Sequence, residues 1–215
     1  MDRRGRDARD KLVDAARDLF AERGIEGASL REITRAAGQA NTSALQYHFG
    51  DRESLLDAVL EPHQIEVDAR RDSLLEELET RERPDLRDVA SVLVRPSAAM
   101  LQVEGGKAYL RIMAELIRDP ERFGRDRFGL RGSLGRWAMA AKHRMPESAS
   151  PLHRRFAAMQ LCFSELARRA STKRRADHRL FVSDLIDLTT GLLASPVSKE
   201  TERLLRERDS KRSKT

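Results

Sequence analysis

The strongest constraint lies in residues 31–56, REITRAAGQANTSALQYHFGDRESLL, where helical spacing is broken twice by glycine within a few turns. Ser29-Leu30-Arg31-Glu32 is a capping-box pattern, in which the serine hydroxyl takes an orphan N–H and the glutamate reaches back. The short helix it opens ends at Gly38, where a left-handed residue costs little. Asn41 is a suitable N-cap for a third helix, with Leu45 and Phe49 as its inward pair. Gly50-Asp51 breaks again, and Asp51 or Ser54 can start a fourth helix through Leu55, Leu56, Val59 and Leu60. Upstream, Leu12, Val13, Ala16, Leu19 and Phe20 recur at three- and four-residue spacing until Gly24.

Two short helices joined by a glycine turn can lay the second across a DNA major groove. Ile33, Ala36, Ala37, Leu45 and Phe49 would hold the pair together, leaving Thr42, Ser43, Gln46 and Tyr47 outward. A glutamine can bond an adenine edge through two hydrogen bonds, while hydroxyls and a tyrosine ring can meet phosphates or a thymine methyl. Arg52, at the start of the next helix, suits a phosphate. The basic arm of Arg3, Arg4, Arg6 and Arg9 can follow the backbone or enter a minor groove. The same spacing equally fits three packed helices with a polar outer face.

The 215-residue chain carries a formal charge of +6, but that charge is unevenly placed. Residues 1–60 hold 10 basic and 11 acidic side chains, whereas residues 107–175 hold 17 and 6. A high isoelectric point would therefore direct attention away from the helix-turn-helix. No apolar run reaches the roughly 18 residues of a membrane span, and the basic N-terminus lacks the apolar segment of a secretory signal. The single Cys162 excludes an internal disulfide framework and suits a reducing cytoplasm.

The stretch LVDAARDLFAERGIEGASLREITRAAGQANTSALQYHFGDRESLLDAV resembles the N-terminal DNA-binding domain of the TetR family of transcriptional regulators. The likeness rests on the LF…G…S-x-R-x-I…AG turn and the YHF-G-D-R-E ending, over about residues 10–60. It implies an all-α homodimer, with a three-helix head and a C-terminal helical bundle that binds ligand and dimerises. By position, Arg31 resembles a second-helix base or phosphate contact, and Asn41 to Ala44 resemble the start of the recognition helix. His48 and Arg52 resemble phosphate contacts. The turn carries Gln39-Ala40 where the family pattern has one residue, and Gln46 stands where the family most often has tyrosine.

The expected layout is a head over residues 1–60, a bundle over 61–198 and a charged, disordered tail over 199–215. Pro62 should kink the fourth helix near Glu61. Further helices are expected at roughly 86–103, 106–118, 122–144, 151–171 and 177–194. Phe156, Phe163 and Leu166 on one of the last two helices, and Phe181, Leu185, Leu188 and Leu192 on the other, form candidate dimer surfaces. Met100, Tyr109, Met113, Leu116, Phe123, Trp137, Met139 and Met159 either line a ligand cavity or form plain core. Inward placement of one or two of Arg111, Arg118, Arg122, Arg125, Arg127, Arg131 and Arg136 would favour an anionic ligand such as an acid or acyl-thioester.

The five histidines, at 48, 63, 143, 153 and 178, include no pair at helical metal-ligand spacing. Arg131 precedes Gly132-Ser133-Leu134-Gly135, which rules out a nucleophile elbow, and Gly105-Gly106-Lys107 lacks the rest of a phosphate loop. No catalytic residue, metal or cofactor is expected. The expectation is a cytoplasmic, ligand-responsive regulator, most simply a repressor, on a near-palindromic operator. The rival is a helical protein whose basic 107–175 face, including Arg125 and Arg127, binds nucleic acid or an acidic partner without sequence preference.

Overall fold

The computed structural model describes residues 3–119, 122–123, 132–172 and 177–212, with side chains from Arg6 onward. Every regular element among the described residues is helical. The chain opens with α1 (Arg3–Arg23), α2 (Leu30–Ala36) and α3 (Ser43–Phe49), followed by the long α4 (Arg52–Thr80). The bundle continues through α5 (Leu86–Ala99), α6 (Gly106–Leu116), α7 (Ser133–Lys142), α8 (Arg154–Ser171) and α9 (His178–Ala194). A final helix, α10, spans Lys199–Arg212, and two single 3-10 turns sit at Met100–Gln102 and Glu147–Ala149.

The 29 residues of α4 give a rod of about 43 Å at 1.5 Å per residue. It runs across residue 60 and continues helically through Pro62, so one helix belongs to both regions. Leu12, Phe20, Ile33 and Leu45 of the first three helices and Leu110, Trp137 and Phe163 of the bundle belong to one buried apolar cluster. Helix α1 packs on both α4 and α6, α6 packs on α8, and α9 lies between α5 and α8.

Several residues occupy environments other than those expected. Arg3 to Arg9 are the first turns of α1, not an extended arm, and Arg9 places its guanidinium 5.5 Å from the centre of the Phe49 ring. The side chains of Arg3 and Arg4 lie outside the described residues. Ala36 faces solvent, whereas Ala37 is buried with Ile33; Thr34 is buried as well, its hydroxyl donating to the Leu30 carbonyl at 2.7 Å. Residues 199–212 are helical instead of disordered. Arg203 sits one turn from both Glu200 and Glu207 and pairs with each, spacing that favours helix in a charged segment.

Phe163, Leu166 and Leu185, expected at a dimer surface, are buried within their own chain, where α8 packs on α6 and α9, and α9 on α5. Phe156 is half-buried, its ring edge-on to Phe123 at 6.3 Å. Leu188 remains 51% exposed, and Leu180, on the same helix, 69%. Phe181 and Leu192 are half-buried.

Of the eight pocket candidates, Met100, Tyr109, Met113, Leu116, Phe123, Trp137 and Met159 are buried core. Trp137 uses its indole N–H on the Val89 carbonyl at 3.0 Å, and Tyr109 uses its hydroxyl on Gln64 Oε1 at 2.7 Å. Neither polar handle is therefore open to a ligand in this arrangement. Met139 faces outward and lines a shallow groove between α4 and α7 with Leu75 and Leu78.

Candidate nucleic-acid interface

The outer corner of the molecule is set by local hydrogen bonds. Ser29 and Glu32 form the expected capping box: the Ser29 hydroxyl accepts the Glu32 N–H at 3.2 Å, and Glu32 Oε2 accepts the Ser29 N–H at 3.0 Å. The Ser29 hydroxyl also donates to Glu32 at 2.7 Å, and this bond, ahead of the backbone bond and Arg23, holds the Glu32 carboxyl below its ordinary value. Gly38, at φ +70°, reverses the chain after α2, a left-handed conformation that leaves little choice but glycine.

Helix α3 begins one residue later than its best capping residue suggests. Thr42 is the N-cap and makes no side-chain cap bond; Asn41 instead accepts the Ser43 N–H through Oδ1 at 3.0 Å, a turn just ahead of the helix. The longer turn, with Gln39 and Ala40, thus ends in an asparagine-stabilised loop. Only Leu45 is fully buried on α3. Thr42, Ser43 and Gln46 face solvent, as do Arg31 on α2 and Asn41 before α3, and Tyr47 is 83% exposed. The His48 ring is half-buried and meets Tyr47 edge-on, with centroids 5.1 Å apart. A face carrying an amide, two hydroxyls, a phenol and an imidazole on a buried leucine anchor has the donors and acceptors that base edges and phosphates require.

Arg52 is placed differently from expectation. Its Nη1 turns inward and donates to the Ile25 and Ala28 carbonyls at 2.5 and 2.6 Å. It braces the loop between α1 and α2 against the start of α4; a phosphate contact could use only its remaining N–H groups. Sequence position gives no sign of this, because the carbonyls lie 27 and 24 residues upstream.

The same loop is gripped from the bundle. Glu115 of α6 accepts the Ile25 N–H with both carboxylate oxygens, at 3.0 and 3.1 Å. Gly24, at φ +84°, allows this approach, since a Cβ there would lie 3.2 Å from the Glu115 carboxylate. Arg122 pairs with Glu26 and, at 2.9 Å, with Glu53. Its cation is held above its ordinary value chiefly by the bond to Glu26. These contacts are not visible in the sequence, whose helical periodicity does not report pairs 69–96 residues apart.

Among the arginines of the basic segment, of which one or two placed inward would have favoured an anionic ligand, Arg118 is exposed, Arg136 bonds Asp72 and Glu79, and Arg111 is half-buried. Arg125, Arg127 and Arg131 lie outside the described residues. Burial pushes the Cys162 thiol up to about 12, so it remains protonated near neutral pH. No single helix among the described residues is long and apolar enough to cross a membrane.

This corner is a helix-turn-helix with its second helix displayed. Residues 12–59 match the family model for bacterial regulatory proteins of the tetR family, and the chain carries that family's N-terminal domain. The HTH-type transcriptional repressor AcnR of Corynebacterium glutamicum is 28% identical over 116 residues, covering 54% of this chain and 44% of AcnR. The HTH-type transcriptional repressor KstR2 of Rhodococcus jostii is 44% identical over 52 residues, 24% of this chain and 25% of KstR2. The matched segment therefore spans less than half the length of either relative. The solved structure of NalD, the secondary repressor of the MexAB-OprM multidrug efflux pump of Pseudomonas aeruginosa, superposes with a TM-score of 0.59 at 19% identity, covering 90% of this chain and 100% of that one. SmeT, the repressor of the Stenotrophomonas maltophilia multidrug efflux pump SmeDEF, gives 0.55 at 20% identity, covering 85% and 90%. At such identities the likeness is one of fold.

Proposed function

We propose that the protein is a dimeric, ligand-responsive transcriptional repressor that reads a near-palindromic DNA operator. The observation that carries this reading is the displayed face of α3, with Thr42, Ser43, Gln46 and Tyr47 in solvent, mounted on a tetR-family head. Gln46 and Tyr47 meet base edges, while Arg31, Asn41, Ser43 and His48 hold the phosphates and set the register. A second copy joins through α8 and α9, where Leu180 and Leu188 are exposed and Phe181 and Leu192 half-covered. The two α3 helices then occupy successive major grooves. The loop held by Glu115, Arg122 and Arg52 is the mechanical link between bundle and head. An effector that binds one tilt of that loop better than another shifts the population of heads that fit the operator.

The test is selection of bound sequences from a random DNA pool at about 150 mM salt, where non-specific electrostatic binding is weak. A palindrome with half-sites about one helical turn apart is expected. Absence of enrichment by folded protein would overturn the reading in favour of a basic-face binder. Against that rival, Arg122, Arg136, Arg144 and Arg155 of the basic segment are each engaged within the chain.

A further inference from the structure

Helix α4 turns one cation into the bundle. Arg71 is 2% exposed, and its Nη1 donates to Asp68 Oδ1 and Ser133 Oγ, both at 2.8 Å. The Ser133 hydroxyl also donates to Asp68 Oδ1 at 2.6 Å, and Gln64 Nε2 donates to Oδ2 at 3.0 Å. Three donors, from α4 and the first residue of α7, thus converge on one carboxylate. Tyr109 donates to Gln64 Oε1, which leaves the amide N–H groups aimed at Asp68. The Nε of Arg71 is buried and finds no hydrogen-bond partner among the described residues.

A guanidinium keeps its charge when buried, so it requires an anion beside it. Here the anion comes from a side chain at the boundary: the Asp68 carboxylate is partly exposed, and Asp68 and Gln64 both line a cavity of about 680 Å³. The cavity is walled on one side by α4, including Leu60 and Ile65, and on the other by His48 and Phe49 of α3. Whatever fills it therefore touches α3 and, through Asp68 and Gln64, the edge of the polar cluster, with Arg71 and Ser133 buried next to Asp68.

We propose that the Asp68 carboxylate stands in for that of the effector, and that the effector is a monocarboxylic acid with an apolar tail. On binding, Asp68 swings into water and the incoming carboxylate takes the Arg71, Ser133 and Gln64 donors, with the Arg71 Nε as a fourth. The tail lies along Leu60, Ile65 and Phe49. Asp57 and Glu61 of α4 also line the cavity and disfavour a second negative charge, whereas Arg9 of α1, stacked on Phe49, brings the opposite sign from across it. This inference rests on the reading that the protein answers to an effector, and names its chemical class.

The experiment uses free full-length protein without DNA, so failure of operator reading leaves it unaffected. Octanoate, octylamine and octanol, matched in tail length, are titrated by calorimetry and by thermal shift. Saturable binding and a raised Tm are expected for octanoate alone. Asp68→Asn, which weakens the internal competitor, should tighten octanoate about tenfold, and Arg71→Met should abolish its binding. If Arg71→Met does not fold, Ser133→Ala, which removes one donor, should weaken octanoate several-fold. Octanol binding as well as octanoate, no octanoate binding in either wild type or Asp68→Asn, or unchanged binding in both donor variants would each overturn the proposal.

Discussion

The head and the bundle place their polar groups in opposite ways. In the head, small apolar anchors such as Leu45 and Ile33 are buried, and amides, hydroxyls and the Tyr47 ring are left in solvent. In the bundle, the apolar core is larger, and the unusual feature is what lies inside it: Arg71, Ser133 and the Tyr109 hydroxyl in one connected network. A polar group left outside needs no partner in its own chain and is free to read another molecule. A polar group kept inside must be satisfied, so its partners reveal what a ligand would have to replace.

The largest expected effect tests whether these regions are thermodynamically separate. Trp137→Ala, deep in the bundle, should cost about 3–5 kcal/mol in urea unfolding. Because Leu12, Leu45 and Trp137 share one apolar cluster, the head should melt with the bundle. Two resolved transitions would break the comparison into independent domains. Next, Gln46→Ala should reduce discrimination at its base pair by about 1–3 kcal/mol in competition binding, with urea stability unchanged. A stability loss instead would make Gln46 part of the scaffold.

Glu115→Ala should destabilise by about 1–3 kcal/mol, the cost of leaving the Ile25 N–H without its acceptor. Glu115→Gln should restore most of it, and both unfolding and operator affinity report it. Arg52→Ala should lower stability by a similar or smaller amount, measured in urea. Unchanged stability with weaker binding on all DNA sequences would return Arg52 to the phosphate role. The smallest effect is pH-linked. The folded Glu32 carboxyl lies below its ordinary value, so its contribution is present above the unfolded value and fades as pH falls through the depressed one. Glu32→Gln should remove that part of the acid-side slope in a Tm-against-pH series.

The same contrast explains what was legible in the sequence. The head is specified by local signals, namely the Ser29–Glu32 box, the turn at Gly38 and the Leu45–Phe49 spacing, and these resolve within a few residues. The face of α3 followed from them. The sequence is silent where distant chain segments decide a side chain's partner: Arg52 turns its Nη1 inward to carbonyls on another loop, and Phe163, Leu166 and Leu185 are covered by the helices packed on α8 and α9. Nothing in the charge pattern marks Arg71 as the inward cation, because on α4 it follows Arg70, a solvent-facing partner of Glu66, in a charged run. Helical periodicity does not reveal that Ser133, 62 residues further on, completes its cage.

The most direct test of the central claim is a fluorescence anisotropy titration on the selected palindrome and a scrambled duplex. It compares wild type with a Gln46→Ala/Tyr47→Ala head variant and an Arg125→Glu/Arg127→Glu variant of the basic segment. The account predicts that the head variant loses the preference for the palindrome while the basic-segment variant keeps it. Loss of binding in the basic-segment variant, with the head variant behaving like wild type, would contradict it.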